Sequence, residues 1–235
     1  QNLNNIINFK REGVILDMII LAKKKYIKNI IRNESKVYDK PQVKYTGVEV
    51  VRSDVPRFTR DELDSFYKGL FKLDYKDREK LRKECLQSIW KTKKKFKVLS
   101  IEQVSFNSAV KEYTKWAKDT DWYIKNGLEY EKGVPIHVRA AMNYNYLIKK
   151  LNLPYQPVSN GTKVKYAYVK SKKPNLIQQE VVAYVGNFPK ELYDVFDIDW
   201  KKQYDKSYLS PIQKFFDVMN LGDAGENENV SKFFD

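Results

Sequence analysis

The chain is poor in the residues that do chemistry. It holds one cysteine, Cys85, and one histidine, His137, among 235 residues. One thiol forms no internal disulfide, which fits a reducing compartment. Zinc sites need several Cys or His at close spacing, so a zinc centre is excluded. No GxxxxGK[ST] phosphate loop, no GxGxxG turn opening a helix and no GxSxG nucleophile elbow occurs. No apolar run reaches the about 17–25 residues that a bilayer span needs. The best candidate, "GVILDMIILA", is ten residues long and contains Asp17; its Ile and Val content predicts a buried strand. Cys85 falls on a predicted helical stripe and reads as a small buried side chain. His137 beside Arg139 reads as structural or as a phosphate contact rather than a general base. The acidic pairs Asp119/Asp121 and Asp197/Asp199 read as solvated loop carboxylates, with a metal site as the rarer alternative.

What the chain has is positive charge. Lys and Arg outnumber Asp and Glu by 44 to 30, for a formal charge of +14. That excess favours polyanionic partners: nucleic acid, acidic lipid or acidic protein. With 42% hydrophobic residues the chain can also build an ordinary core.

Residues 9–52 read as β structure: strand-like runs "EGVILDMIILA", "KKYIKNII" and "VKYTGVEVV", separated by the polar "RNESKVYDKPQ". Composition changes near Pro56. Thr59 and Glu62 have the spacing of a capping box, and Leu63, Phe66 and Leu70 repeat at helical period. A second helix is expected from about Asp74, with Leu81, Cys85 and Ile89 on one stripe. It closes in "KTKKKFK", residues 91–97, read as a solvated helix end favourable to the macrodipole. "VLSIEQVSF" reads as a strand. Residues 134–151 read as a helix with Ile136, Ala140, Tyr144, Leu147 and Leu151 on its apolar stripe, and Arg139, Asn143, Tyr146 and Lys150 on a second, polar face. Two strands, "KVKYAYVK" and "EVVAYVG", and a helix near 199–220 follow. The end, "GDAGENENVSKFFD", reads as a polar linker closed by two phenylalanines.

Backbone-directed nucleic-acid binding needs Lys and Arg against phosphates, helped by hydroxyl, amide and ring groups. Three places offer this. The first is Lys23, Lys24, Lys25, Tyr26 and Lys28; on a strand, Lys24 and Tyr26 would point one way and Lys23 and Lys25 the other. The second is Lys44 near Gly47, where a glycine lets another backbone approach closely. The third is the polar face of helix 134–151.

These residues carry a resemblance. "FKREGVILDMIILAKKKYIKNI" followed by "VKYTGVEVVRSDVPR" resembles the end of the palm in family B replicative DNA polymerases of T-even-like bacteriophages. Those have a KKRY element, then KxxGxE, then RSxxP before the thumb helices. "PIHVRAAMNYNYLI" resembles that family's HxRxxxxYN thumb element, through His137, Arg139, Tyr144 and Asn145. "KVKYAYVK" resembles the following thumb strand, and "VSKFFD" the family's C-terminal sliding-clamp peptide.

The resemblance implies an α+β chain: a small palm β-subdomain over 1–55, a mainly helical thumb with a small sheet over 56–222, and a flexible tail with a clamp peptide over 223–235. It implies that Lys23, Lys24, Lys25, Tyr26, Lys44 and Gly47 lie along the primer–template, and that His137 and Arg139, with Asn143 and Tyr146 of the same helix face, contact the duplex from the thumb. Lys25 stands where relatives often have Arg. Val230, Phe233 and Phe234 would plug a clamp pocket, with Val where relatives usually have Leu. The metal-holding aspartates of a DxDS-like strand pair are not found here and would lie upstream of Gln1, with the fingers and exonuclease. So no cofactor is expected on this stretch; Mg ions would sit on the upstream segment, the chain alone would not polymerise, and the expected setting is the cytoplasm of a bacterial host. The expected partners are primer–template DNA, a sliding clamp and the upstream polymerase segment, with no membrane. The alternative is a free-standing basic nucleic-acid-binding protein.

Overall fold

A computed structural model describes residues 13–177 and 179–225. The architecture is α+β, with two antiparallel sheets and helices between and around them. Val230, Phe233 and Phe234 lie outside the described residues. Among the described residues, no helix is long and apolar enough to cross a membrane.

The first sheet is a meander of β1 (Gly13–Ala22), β2 (Lys25–Asn33) and β3 (Lys36–Thr46), in that order. Ile19 pairs with Ile27, and Ile27 with Tyr45, which places one apolar row on the inner face. The polar break between β2 and β3 is much shorter than expected. Only Glu34 and Ser35 form the turn, and β3 starts at Lys36. The register slips between Arg32↔Val37 and Ile30↔Gln42, so the strand absorbs Pro41 as an irregularity. β3 is an edge strand, where a missing N–H is tolerated. At the other end β3 stops at Thr46, and Glu49–Val51 is a turn of 3-10 helix rather than strand.

β1 is not the buried strand expected from its composition. Ile19 and Leu21 are buried, but Ile15, Leu16, Met18 and Ile20 are 42–58% exposed. From Met18 to Ala22 burial alternates, as on a sheet covered on one face, whereas Ile15, Leu16, Asp17 and Met18 are exposed in succession, so the first half of the strand lies uncovered on both faces.

The chain then enters α1 (Arg57–Leu70) and α2 (Arg78–Phe96). Leu63, Phe66 and Leu70 of α1 and Leu81, Cys85 and Ile89 of α2 are all buried, as their spacing predicts. The capping box at Thr59 does not form. Pro56 sits at the N-cap, so the helix begins earlier and Thr59 lies inside its first turn, fully buried with its hydroxyl unpartnered. Glu62 instead bonds Thr92 and Lys95 of α2, each at 2.8 Å. A capping box does occur where a strand was expected: the Gln103 side chain accepts from the Ser100 N–H at 2.9 Å and opens the short α3 (Ile101–Val104). Only the last residue of that segment, Phe106, is in a strand, and it opens β4 (Phe106–Ala109).

Two short helices, α4 (Tyr113–Trp116) and α5 (Thr120–Asn126), lead to α6 (Ile136–Lys150). The second sheet follows. Its long strand β5 (Lys163–Ser171) pairs with β4 and with β6 (Val181–Tyr184), and its far end pairs with β7 (Phe196–Ile198). α7 (Trp200–Tyr204) and α8 (Ser210–Met219) form one run joined through a wider π-helical turn, Asp205–Leu209. The Asp199 carboxylate caps α7 by accepting from the Lys202 N–H at 3.0 Å.

One buried cluster runs through both regions. Ile19, Leu21, Ile27 and Val48 continue into Leu63, Phe66, Tyr67 and Phe215. The Tyr45 hydroxyl donates to Asp64 of α1 at 2.7 Å. The Lys214 ammonium of α8 donates to Glu49 at 3.0 Å, and Lys25 stands 3.6 Å from the same oxygen. The chain is still packed at Ala224, whose N–H donates to Gln213 at 2.8 Å.

Candidate nucleic-acid interface

The lysine cluster is a tight turn rather than a strand end. Ala22 pairs directly with Lys25, so Lys23 and Lys24 alone make the hairpin loop and are both exposed. Strand alternation therefore does not sort these two side chains. Lys24 takes φ 61°, a left-handed conformation that L side chains seldom adopt. Its carbonyl faces Gly47. A Cβ on Gly47 would lie 2.2 Å from the Lys24 oxygen, and Gly47 itself has φ 65°. The close backbone approach expected at Gly47 is thus to the lysine turn, which joins two segments distant in the chain.

Behind the turn, Tyr26 and Lys28 share the outward face of β2, and Lys44 and Thr46 that of β3. Tyr26 pairs with Thr46 and Lys28 with Lys44. The Lys28 ammonium sits over the Tyr26 ring at 5.3 Å, and Lys44 reaches towards Tyr38 at 5.7 Å. Two lysines directly opposite each other on adjacent strands repel. Neither forms an ion pair among the described residues. Lys25 belongs to a different group: it reaches Glu49 at 3.6 Å. Burial pushes the Glu49 carboxyl up, but the hydrogen bond from Lys214, its own backbone and the charges of Lys214 and Lys25 outweigh that and hold it below the ordinary range.

The third expected surface is not a surface. α6 is covered on nearly every side, and Asn143 and Tyr146 are buried. The Asn143 amide donates to the carbonyls of Gln179 at 2.9 Å and Val181 at 2.6 Å, while its oxygen accepts from the Tyr130 hydroxyl. The neighbouring Asn145 does the same for Val158, donating to its carbonyl at 2.8 Å and accepting its N–H at 2.7 Å. Tyr146 accepts from Lys150 at 2.7 Å. The Nε of Arg139 is buried without a hydrogen-bond partner. The polar stripe is a spine that fixes α6 against the second sheet and its loops, so Asn143 and Tyr146 are unavailable to a ligand. Sequence periodicity placed these residues together correctly; it carried no information on which elements would cover them.

His137 lies elsewhere, in an open groove of about 840 Å³ that also takes in Ser53, Asn107, Lys111, Lys163 and Lys165. The groove brings the segment before α1 against the second sheet: the Asn107 N–H donates to the Asp54 carbonyl at 2.9 Å. Burial lowers the pKa of His137, so at neutral pH it is an uncharged donor or acceptor. Lys163 and Lys165 line this groove and are not among the residues that the sequence singles out. Their i, i+2 spacing on β5 was the available signal, because alternation puts both on one face.

The remaining candidates are structural. Asp119 caps α5 by accepting from the Asp121 N–H at 2.8 Å, and Asp121 pairs with Lys149. Asp197 lies 3.2 Å from Lys172. No group of three or more His, Cys, Asp or Glu side chains converges as a metal site among the described residues. Burial pushes the Cys85 thiol up to about 12, which leaves it without nucleophilic character at neutral pH. No protein-family model matches the chain, and no curated protein matches it at a significant level.

Proposed function

We propose that this chain grips duplex DNA through its backbone, as the end of the palm and the thumb of a family B replicative DNA polymerase, with a C-terminal clamp-binding peptide. The observation that carries the grip is Lys28 placed directly opposite Lys44 beside the Lys23–Lys24 turn. Lys28 and Lys44 on the open sheet face, with the exposed Lys23 and Lys24 at the turn beyond it, concentrate like charge at one end of the sheet. A row of phosphates would turn the repulsion between like charges into attraction. Tyr26, on the same face, supplies a ring and a hydroxyl to fix register. Gly47 supports the arrangement by letting the lysine turn sit against the segment that follows β3. The open groove at His137, Lys163 and Lys165 offers a second basic track on the thumb side.

The test is a salt series with a fluorescent primer–template and the full chain. Each lysine that neutralises a phosphate adds about 0.9 to the slope of log affinity against log salt. Lys23→Ala/Lys24→Ala should therefore flatten the slope by about 1.8, and Lys28→Ala/Lys44→Ala likewise. Parent-like binding by both double variants would overturn the proposed grip. Activity gained by an upstream polymerase fragment when this chain is added would support the polymerase assignment; its absence would favour a free-standing basic binding protein.

A further inference from the structure

The lysine run at the end of α2 is not simply a solvated helix end. Lys94 stacks on Trp90, 3.4 Å from the ring centre, and Lys95 pairs with Glu62 at 2.8 Å. Lys93 and Lys97, one helical turn apart, instead line a cleft of about 670 Å³ against α7 and the π-helical turn. Lys201 lines it from the other side. None of these three lysines has a carboxylate within ion-pair distance among the described residues. The cleft is of the size that small-molecule sites take.

Its floor is aromatic. Phe96 and Tyr204 are buried and meet edge-on at 5.1 Å, and Trp200 meets Phe96 at 6.2 Å with the rings nearly perpendicular. Trp200 stays 38% exposed. Of the four tryptophans, Trp90, Trp116 and Trp122 each carry a lysine over the ring. Among the described residues, Trp200 carries none, although Lys93, Lys97 and Lys201 share its cleft. A bare indole beside three ammonium groups that make no direct ion-pair contact is the arrangement that a planar anion would complete.

We infer that this cleft binds a nucleotide, with the base stacked on Trp200 and the phosphate among Lys93, Lys97 and Lys201. Every base offers a π-face, and stacking on an aromatic side chain does not depend on base identity. The lining charges, three lysines against Asp205 and Asp223, leave one net positive charge for the phosphate. Asp205 has no ion pair within contact distance and no side-chain hydrogen bond among the described residues, although the charges of Lys201 and Lys93 act on its carboxyl; its oxygens are the acceptors that an exocyclic amine would meet. It opens the π-helical turn, a feature that recurs at functional sites. The nucleotide could be supplied free or as an unpaired residue of a single strand. The site shares no residue with the duplex grip at the hairpin.

Fluorescence anisotropy with a labelled oligodeoxythymidylate, competed by adenosine monophosphate, tests the inference on the full chain. Trp200→Leu should weaken oligonucleotide binding about tenfold, whereas Trp200→Phe, which keeps a ring, should stay within about threefold of the parent. Lys93→Glu/Lys97→Glu, both on the helix surface, should weaken it at least as much as Trp200→Leu, with an unchanged circular dichroism spectrum. Full displacement by the mononucleotide assigns the site to free nucleotides; failure to displace assigns it to a strand. If neither probe binds the parent, or if Trp200→Leu binds like the parent, the inference is wrong. Lys23→Ala/Lys24→Ala should preserve the dependence on Trp200, so that failure of the duplex grip and failure of this site are read separately.

Discussion

The hairpin sheet and helix α6 use similar polar side chains to opposite ends. On the sheet, Lys23, Lys24, Lys28 and Lys44 stand outward and have no ion-pair partner among the described residues. On α6, Asn143, Asn145 and Tyr146 are buried, and each has its partners inside the protein. The difference lies in coverage. The sheet packs one face on the helices and leaves the other open, whereas α6 is wrapped by the second sheet and its loops. A polar residue under cover must be satisfied internally or it costs stability. The same residue on an open face is free to spend its hydrogen bonds and charge on a ligand.

Substitutions can break that contrast. The largest effect is expected at Asn143. Asn143→Ala strands the Tyr130 hydroxyl and the Gln179 and Val181 carbonyls, and should cost about 3 kcal/mol, with little change in the salt slope of DNA binding. A urea melt beside the binding series checks both halves; a stable variant with weakened binding would return Asn143 to the ligand-binding set.

Gly47→Ala comes next. The new methyl meets the Lys24 carbonyl, and φ 65° is strained for alanine. A loss of about 2 kcal/mol is expected, with the lysine turn displaced and binding weakened as well. A stability loss with parent-like binding would uncouple the turn from the grip.

The smallest effect is a pH dependence at the joint between the two regions. The folded-state pKa of Glu49 is depressed, so its contribution is present above the ordinary carboxylate pKa and is lost as pH falls through the depressed value. Urea midpoints of the parent should therefore fall on acidification more steeply than those of Glu49→Gln. Parallel curves would show that Lys25 and Lys214 gain nothing from the carboxylate.

Much of the fold was legible. The stripes Leu63–Phe66–Leu70 and Leu81–Cys85–Ile89 follow from periodicity, because burying one side of an element imposes its period on the sequence; the helix over 136–150 and the strands β5 and β6 are legible as segments, although α6 is covered on nearly every side and β6 is buried throughout. The boundaries were less legible. Thr59 and Glu62 have the spacing of a cap, but Pro56 set the helix start and α2 supplied other partners for Glu62. The segment 36–41 looked like a break because Pro41 and its charges disfavour a strand, yet an edge strand tolerates them. Of the candidate site, the lysines were visible in the sequence, and Gly47 was recognised as a place of close approach.

The sequence by itself determined the principal helices and most of the strands, the positive charge and the shortage of catalytic side chains, since these depend on local spacing and on counting. Tertiary structure alone decided which polar residues face water. It set Lys24 against Gly47, Lys28 opposite Lys44 and Trp200 among three lysines, and it closed the second sheet over Asn143. Those outcomes depend on register and on what packs above each face, and both are fixed by contacts between residues far apart in the chain.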